Sequence, residues 1–183
     1  MARYCPANKK AFDALTGEVL ALSDIKNRVI RAVEKLCMWD VHLLRVNSSE
    51  QSITHRLGVY MQGEFPAWHV DCEYNRVGTE PKTHAGEKKP KLVIPDVVVH
   101  HRNEVDNLLA IEVKKHGDRR GHADDLSRLK EFRNSLAFQY QYTLFLALRT
   151  GGPHNSGAEY WVAYMEWDGI PYSWREWTES YST

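Results

Sequence analysis

Two β-branched runs separated by seven mostly polar residues constrain the fold of this chain more than any other feature. The first run is Ile94-Pro95-Asp96-Val97-Val98-Val99-His100, and the second is Leu108-Leu109-Ala110-Ile111-Glu112-Val113-Lys114. The intervening segment, His101 to Asn107, is rich in turn formers, so the spacing predicts an antiparallel hairpin. Strand side chains alternate faces, which puts Glu112 and Lys114 on one face and Ile111 and Val113 on the other. A turn centred near Glu104 sets Asp96 opposite Glu112 on the same face, with Cβ atoms roughly 4.5–5.5 Å apart. A one-residue slip of register would turn Asp96 to the wrong face.

Two carboxylates that close repel each other unless a cation sits between them or one takes up a proton. Hard oxygen ligands select Mg²⁺ or Mn²⁺ over zinc. Lys114, beside Glu112 on the strand, adds the positive charge that an anionic substrate would meet.

Pro95-Asp96, followed by Glu112-Val113-Lys114, resembles the PD-(D/E)xK nuclease superfamily, whose members share the restriction-endonuclease-like fold. The resemblance spans roughly residues 48–149. It implies an α/β protein with an αβββαβ core, a central mixed sheet flanked by helices. To that core the chain adds an N-terminal helical extension (1–46) and a C-terminal Trp-rich β arm (158–183), all within one domain of 183 residues. It also implies a metal-dependent endonuclease that hydrolyses phosphodiester bonds, in DNA rather than RNA. Asp96 and Glu112, joined by the main-chain carbonyl of Val113, are then the ligands of Mg²⁺ (or Mn²⁺). Lys114 is then the residue that orients or helps deprotonate the attacking water, or steadies charge on the phosphoryl oxygens. A homodimer, or a place in a larger nuclease system, follows from the same resemblance.

The order of elements agrees with this expectation. Ser23-Asp24 opens a helical pattern with Ile25, Val29, Ala32, Val33 and Leu36 on one stripe, ending near Trp39. A second helix follows Asn47-Ser48-Ser49, with Ser48 and Gln51 as a capping box. Its inward stripe is Ile53, Leu57, Tyr60 and Met61; Glu50 falls on that stripe, where the resembled family often carries an auxiliary acid near the metal. As a first-turn residue, Glu50 also suits a helix start. Trp68 to Asn75 alternates strictly as a half-buried strand, with His69, Asp71, Glu73 and Asn75 on the polar face. Glu73 is a candidate extension of the acidic site, and His100 a candidate second layer behind the ligands.

Residues 76–91 read as a loop suited to substrate contact. Asp124-Asp125 start a helix whose face is Leu126, Leu129, Phe132, Arg133 and Leu136, and Gln141 to Leu148 is an apolar strand buried on both faces. Tyr160 to Trp167 reads as a strand, Asp168-Gly169 as a tight turn, and the remainder as an edge arm. Trp161, Trp167, Trp174 and Trp177 suit core or dimer contacts there.

Net charge is zero, which argues against indiscriminate nucleic-acid binding over the whole surface. Residues 76–134 hold 13 Lys/Arg against 10 Asp/Glu, whereas residues 135–183 hold 2 against 5, so the basic excess surrounds the motif. Lys115, Arg119 and Arg120 are the candidate phosphate contacts, with solvated loop charge as the plainer reading. Cys5, Cys37 and Cys72 are odd in number and widely spaced, as reduced thiols of a cytoplasmic protein would be. The N-terminus lacks a signal-peptide pattern, and no run is long and apolar enough to span a membrane. A Gly-rich phosphate loop and a Ser or Cys nucleophile elbow are also missing. The alternative is a non-catalytic nucleic-acid-binding or assembly subunit on the same fold.

Overall fold

The computed structural model describes residues 11–13, 18–77, 80–81, 94–102, 104, 106–116, 122–135, 138–152 and 157–179. The chain begins with strands β1 (Ala11–Asp13) and β2 (Glu18–Leu20), then helices α1 (Leu22–Trp39), α2 (Val41–Arg45) and α3 (Glu50–Glu64). Strands β3 (His69–Cys72), β4 (Arg76–Val77), β5 (Glu80–Pro81), β6 (Val97–His101) and β7 (Asp106–Lys115) follow. After these come α4 (His122–Asn134), β8 (Tyr142–Leu148), α5 (Ala158–Trp161), β9 (Val162–Trp167), β10 (Ile170–Tyr172) and α6 (Trp174–Glu179).

Six strands form one mixed sheet in the order β10-β9-β8-β7-β6-β3. Among the described strands only the β7–β8 pair is parallel, and α4 lies in the crossover that a parallel pair requires. β7 is buried from Asn107 to Val113 and β8 from Thr143 to Leu148, because they lie mid-sheet with helices over both faces. Their side chains alternate between two cores. Leu109, Ile111, Val113, Leu144, Leu146 and Leu148 pack with α1 and α3. Ala110, Phe145 and Ala147 pack with Leu129 and Phe132 of α4 and with Phe138 and Tyr140 behind it. Among the described residues no helix is long and apolar enough to cross a membrane.

Several expectations shift in detail. The N-terminal extension, expected to be helical, contains the β1–β2 ribbon as well as α1 and α2. The cap of α3 is Ser49, whose Oγ accepts the Ser52 amide at 3.1 Å, rather than Ser48. β3 stops at Cys72 because Glu73 turns to φ 51°. Within the expected loop 76–91, β4 and β5 pair as a short ribbon; 82–91 lies outside the described residues. Tyr160 and Trp161 close the short helix α5 instead of starting β9.

The final segment coils as α6 instead of continuing as a strand. The Ser173 amide donates to Glu176 Oε2 at 2.8 Å, and the Glu176 amide donates to Ser173 Oγ at 3.2 Å. That reciprocal S-x-x-E cap starts a helix. The Asp168-Gly169 turn takes positive φ at both positions, 53° and 84°, as a two-residue hairpin loop needs.

Candidate active site

The β6–β7 hairpin brings Asp96 to Glu112. Val97 pairs with Ile111 and Val98 with Ala110, so one step outward Asp96 stands across from Glu112. Nearer the turn the strands run in a different register, His100 with Asn107 and His101 with Asp106. Carried to the far end, that register would have set Asp96 against Ile111. The shift falls between Val99 and His100, where Leu108 is the extra residue of a β-bulge, and both Leu108 and Leu109 enter the α1/α3 core. The Val113 amide then fixes Asp96, donating to Oδ2 at 2.7 Å.

Four elements meet at this end of the sheet. Lys114 Nζ donates to Glu50 Oε1 at 2.8 Å and lies 3.6 Å from Asp125 Oδ2. Glu50 Oε2 accepts the Lys115 amide at 3.2 Å, so both oxygens of this first-turn residue of α3 hold the end of β7. On α4, Arg128 bonds Asp125 and lies 3.7 Å from Glu112 Oε2. Asp125 and Arg128 are the residues that the sequence reading passed over. A signal was present: Asp125 falls four residues before Leu129 and seven before Phe132, on the inward stripe of α4.

The electrostatics are those of a crowded acidic site. Glu112 is 1% exposed, and its Oε1 has no hydrogen-bond partner among the described residues. Burial, and then the charge of Asp96, push the Glu112 carboxyl well above its ordinary range. Burial also raises Asp96, against the Val113 hydrogen bond that favours its ionised form. Asp125 is raised by burial, partly offset by the charges of Lys114 and Arg128. Burial would lower Lys114, but its hydrogen bond to Glu50 and the charges of Glu50, Asp125 and Asp96 outweigh it and hold the ammonium protonated.

The other candidates sit apart from the carboxylates. Glu73 is exposed and accepts Gln51 Nε2 at 3.1 Å; its amide bonds the Asp96 carbonyl, so it supports Asp96 through the backbone. His100 is buried four residues along the strand from Asp96, about 13 Å at the rise of a strand. Its Nε2 faces Asp71 Oδ2 at 2.9 Å, in a network with Arg102 and the Tyr74 ring. The Arg102 bond is the main reason that Asp71 stays below the usual carboxylate range. Lys115 Nζ donates to the Ser48 carbonyl at 3.2 Å and ties β7 to the start of α3. Arg119 and Arg120 lie outside the described residues.

A second group that could hold a metal lies at the hairpin turn. His101, Glu104 and Asp106 have ligand atoms within 4.8 Å of one another. His101 Nε2 faces the Ala67 carbonyl, its Nδ1 faces Asp106, and its ring stacks on Trp68 at 4.1 Å.

Comparison with known proteins finds no matching family model, no matching curated protein and no matching solved structure.

Proposed function

We propose that this chain is a metal-dependent endonuclease that hydrolyses phosphodiester bonds, with DNA preferred over RNA, through a PD-(D/E)xK site on a restriction-endonuclease-like fold. The observation that carries the reading is the pairing of two shielded carboxyls, Asp96 and Glu112, with one Glu112 oxygen left without a hydrogen-bond partner among the described residues. Four carboxylates (Glu50, Asp96, Glu112 and Asp125) surround two cationic side chains, Lys114 and Arg128. A divalent cation matches that excess of negative charge, and all-oxygen ligands suit Mg²⁺ or Mn²⁺.

Asp96 and Glu112 would hold the ion, which when bound polarises a phosphate and acidifies a water. Lys114, already protonated and fixed by Glu50, would orient that water and steady charge on the phosphoryl oxygens rather than act as the base. Glu50 serves here by positioning Lys114. Nucleic acid is the partner in this reading, and two cuts on opposite strands would call for a two-fold pair of copies or a larger assembly.

The test is cleavage of supercoiled plasmid and of single-stranded DNA with Mg²⁺, Mn²⁺ or EDTA. Cutting is expected only with metal, and Glu112→Gln or Lys114→Ala should each lower it about a hundredfold or more. Retained DNA binding without cutting at any metal would identify a binding or assembly subunit instead.

A further inference from the structure

Three polar atoms without hydrogen-bond partners among the described residues belong to adjoining side chains. They are the acceptors Glu112 Oε1 and Asp125 Oδ2 and the donor Arg128 Nε. Glu112 and Asp125 are almost wholly shut from solvent. Asp125 Oδ2 has the Lys114 ammonium 3.6 Å away, whereas the orphaned Glu112 Oε1 is costly unless something fills the space beside it. A divalent cation answers Glu112 Oε1 but not the N–H of Arg128. An anion answers the N–H but is repelled by the carboxylates. A cation that carries a phosphate oxygen answers both.

Arg128 is built to serve such an oxygen. It lies one turn from Asp125 on α4 and is bonded to it, so its anchor and its own backbone move together. Its side chain is 31% exposed and Lys114 is 20% exposed, which places two cations at the lip of a site in which Glu112 and Asp125 lie deeper. Its guanidinium now faces Glu112 at 3.7 Å, the charge that a bound cation would take over.

We propose that Arg128, anchored by Asp125, binds a substrate phosphate oxygen beside the Asp96–Glu112 pair once a divalent cation occupies that pair. The inference rests on the nuclease reading above and adds a phosphate-binding residue to it. Arg128 is a cation competing for Glu112 in the ion-free chain and a phosphate ligand in the loaded one. The two roles predict opposite effects of one substitution, which mere structural damage cannot produce.

The experiment measures Mn²⁺ uptake by electron paramagnetic resonance, and binding of thymidine 5′-phosphate by calorimetry with Ca²⁺ present and absent. Wild type, Arg128→Ala, Arg128→Lys and Asp125→Asn are compared as full chains. Wild type should bind the nucleotide only with Ca²⁺. Arg128→Ala should bind Mn²⁺ at least as tightly as wild type yet lose about tenfold to a hundredfold in nucleotide affinity, the span expected for a hydrogen bond to a charged group. Arg128→Lys and Asp125→Asn should fall between.

If wild type takes up no Mn²⁺, the nuclease reading and this inference fail together. If Mn²⁺ binds but Arg128→Ala keeps the nucleotide, or wild type binds the nucleotide equally without Ca²⁺, the inference fails and the metal site stands. Loss of Mn²⁺ uptake in Arg128→Ala would make Arg128 a strut of the site and overturn the inference as well.

Discussion

At the scale of single residues, Glu112 sets the terms. Its carboxyl is held well above its ordinary value of 4.5 by burial and by Asp96, so the folded chain keeps a proton that the unfolded chain gives up. A carboxyl raised in the folded state costs nothing below its unfolded value, and the cost grows as pH rises above it. In EDTA, therefore, Glu112→Gln should melt near wild type at about pH 4.5 and progressively above it toward neutrality. The gap should reach about 3 °C or more, since 1 kcal/mol moves a chain of this size by about 2–4 °C. Saturating Mg²⁺ should raise wild type more than the variant and shrink the gap. Melting curves across pH check this, and a gap that stays flat from acid to neutral pH would mean that Glu112 is not strained by its neighbours.

The same scale shows how the site could be read from the sequence. Asp96, Glu112 and Lys114 were legible because strand alternation fixes their faces. Glu50 was legible because it falls on the apolar stripe of its helix. Asp125 obeys the same spacing rule, but in the company of Asp124 it reads as an ordinary acidic helix start.

At the scale of elements, α3 rests on β3 through a glycine. A Cβ at Gly58 would lie 2.6 Å from Cys72 Sγ, closer than such atoms approach. Gly58→Ala should therefore cost about 1–3 kcal/mol as overpacking, although alanine is the better helix former. Adding Cys72→Ala removes the obstructing sulfur and should return most of that loss, a coupling that urea titration of the single and double variants would expose. Stabilisation by Gly58→Ala alone would contradict the close contact.

The hairpin itself was legible from its two β-branched runs and polar turn. The bulge was not, because Leu108 and Leu109 are both apolar and either could have been the residue facing the core. α6 was missed for another reason: Pro171 and the tryptophans suggested an edge strand, while Ser173 and Glu176 held a capping pair that decided for helix.

At the scale of the whole molecule, the C-terminal segment is structural rather than appended. β9 pairs along β8, and Trp161, Met165, Trp167 and Trp174 join the same core as α1 and α3. Trp161 is fully buried. A chain ending at Arg149 should thus lose cooperative unfolding and its near-ultraviolet dichroism, because the free edge of β8 and much of the core would be open to water. A sharp melting transition in that truncated chain would mean that the smaller core suffices. The sequence supported the order of helices and strands along the core, but it could not show that the arm completes the sheet, since burial of a tryptophan is decided by partners distant in the chain.

The first turns of α3 and α4 both reach Lys114, through Glu50 and Asp125. Each helix start carries the positive end of its peptide dipoles, equivalent to about half an elementary charge. Two such ends converging on one spot supply positive potential from the backbone itself, with no proton to lose and no side chain to delete. Part of the site's attraction for a phosphate would then persist at any pH and yield only to salt.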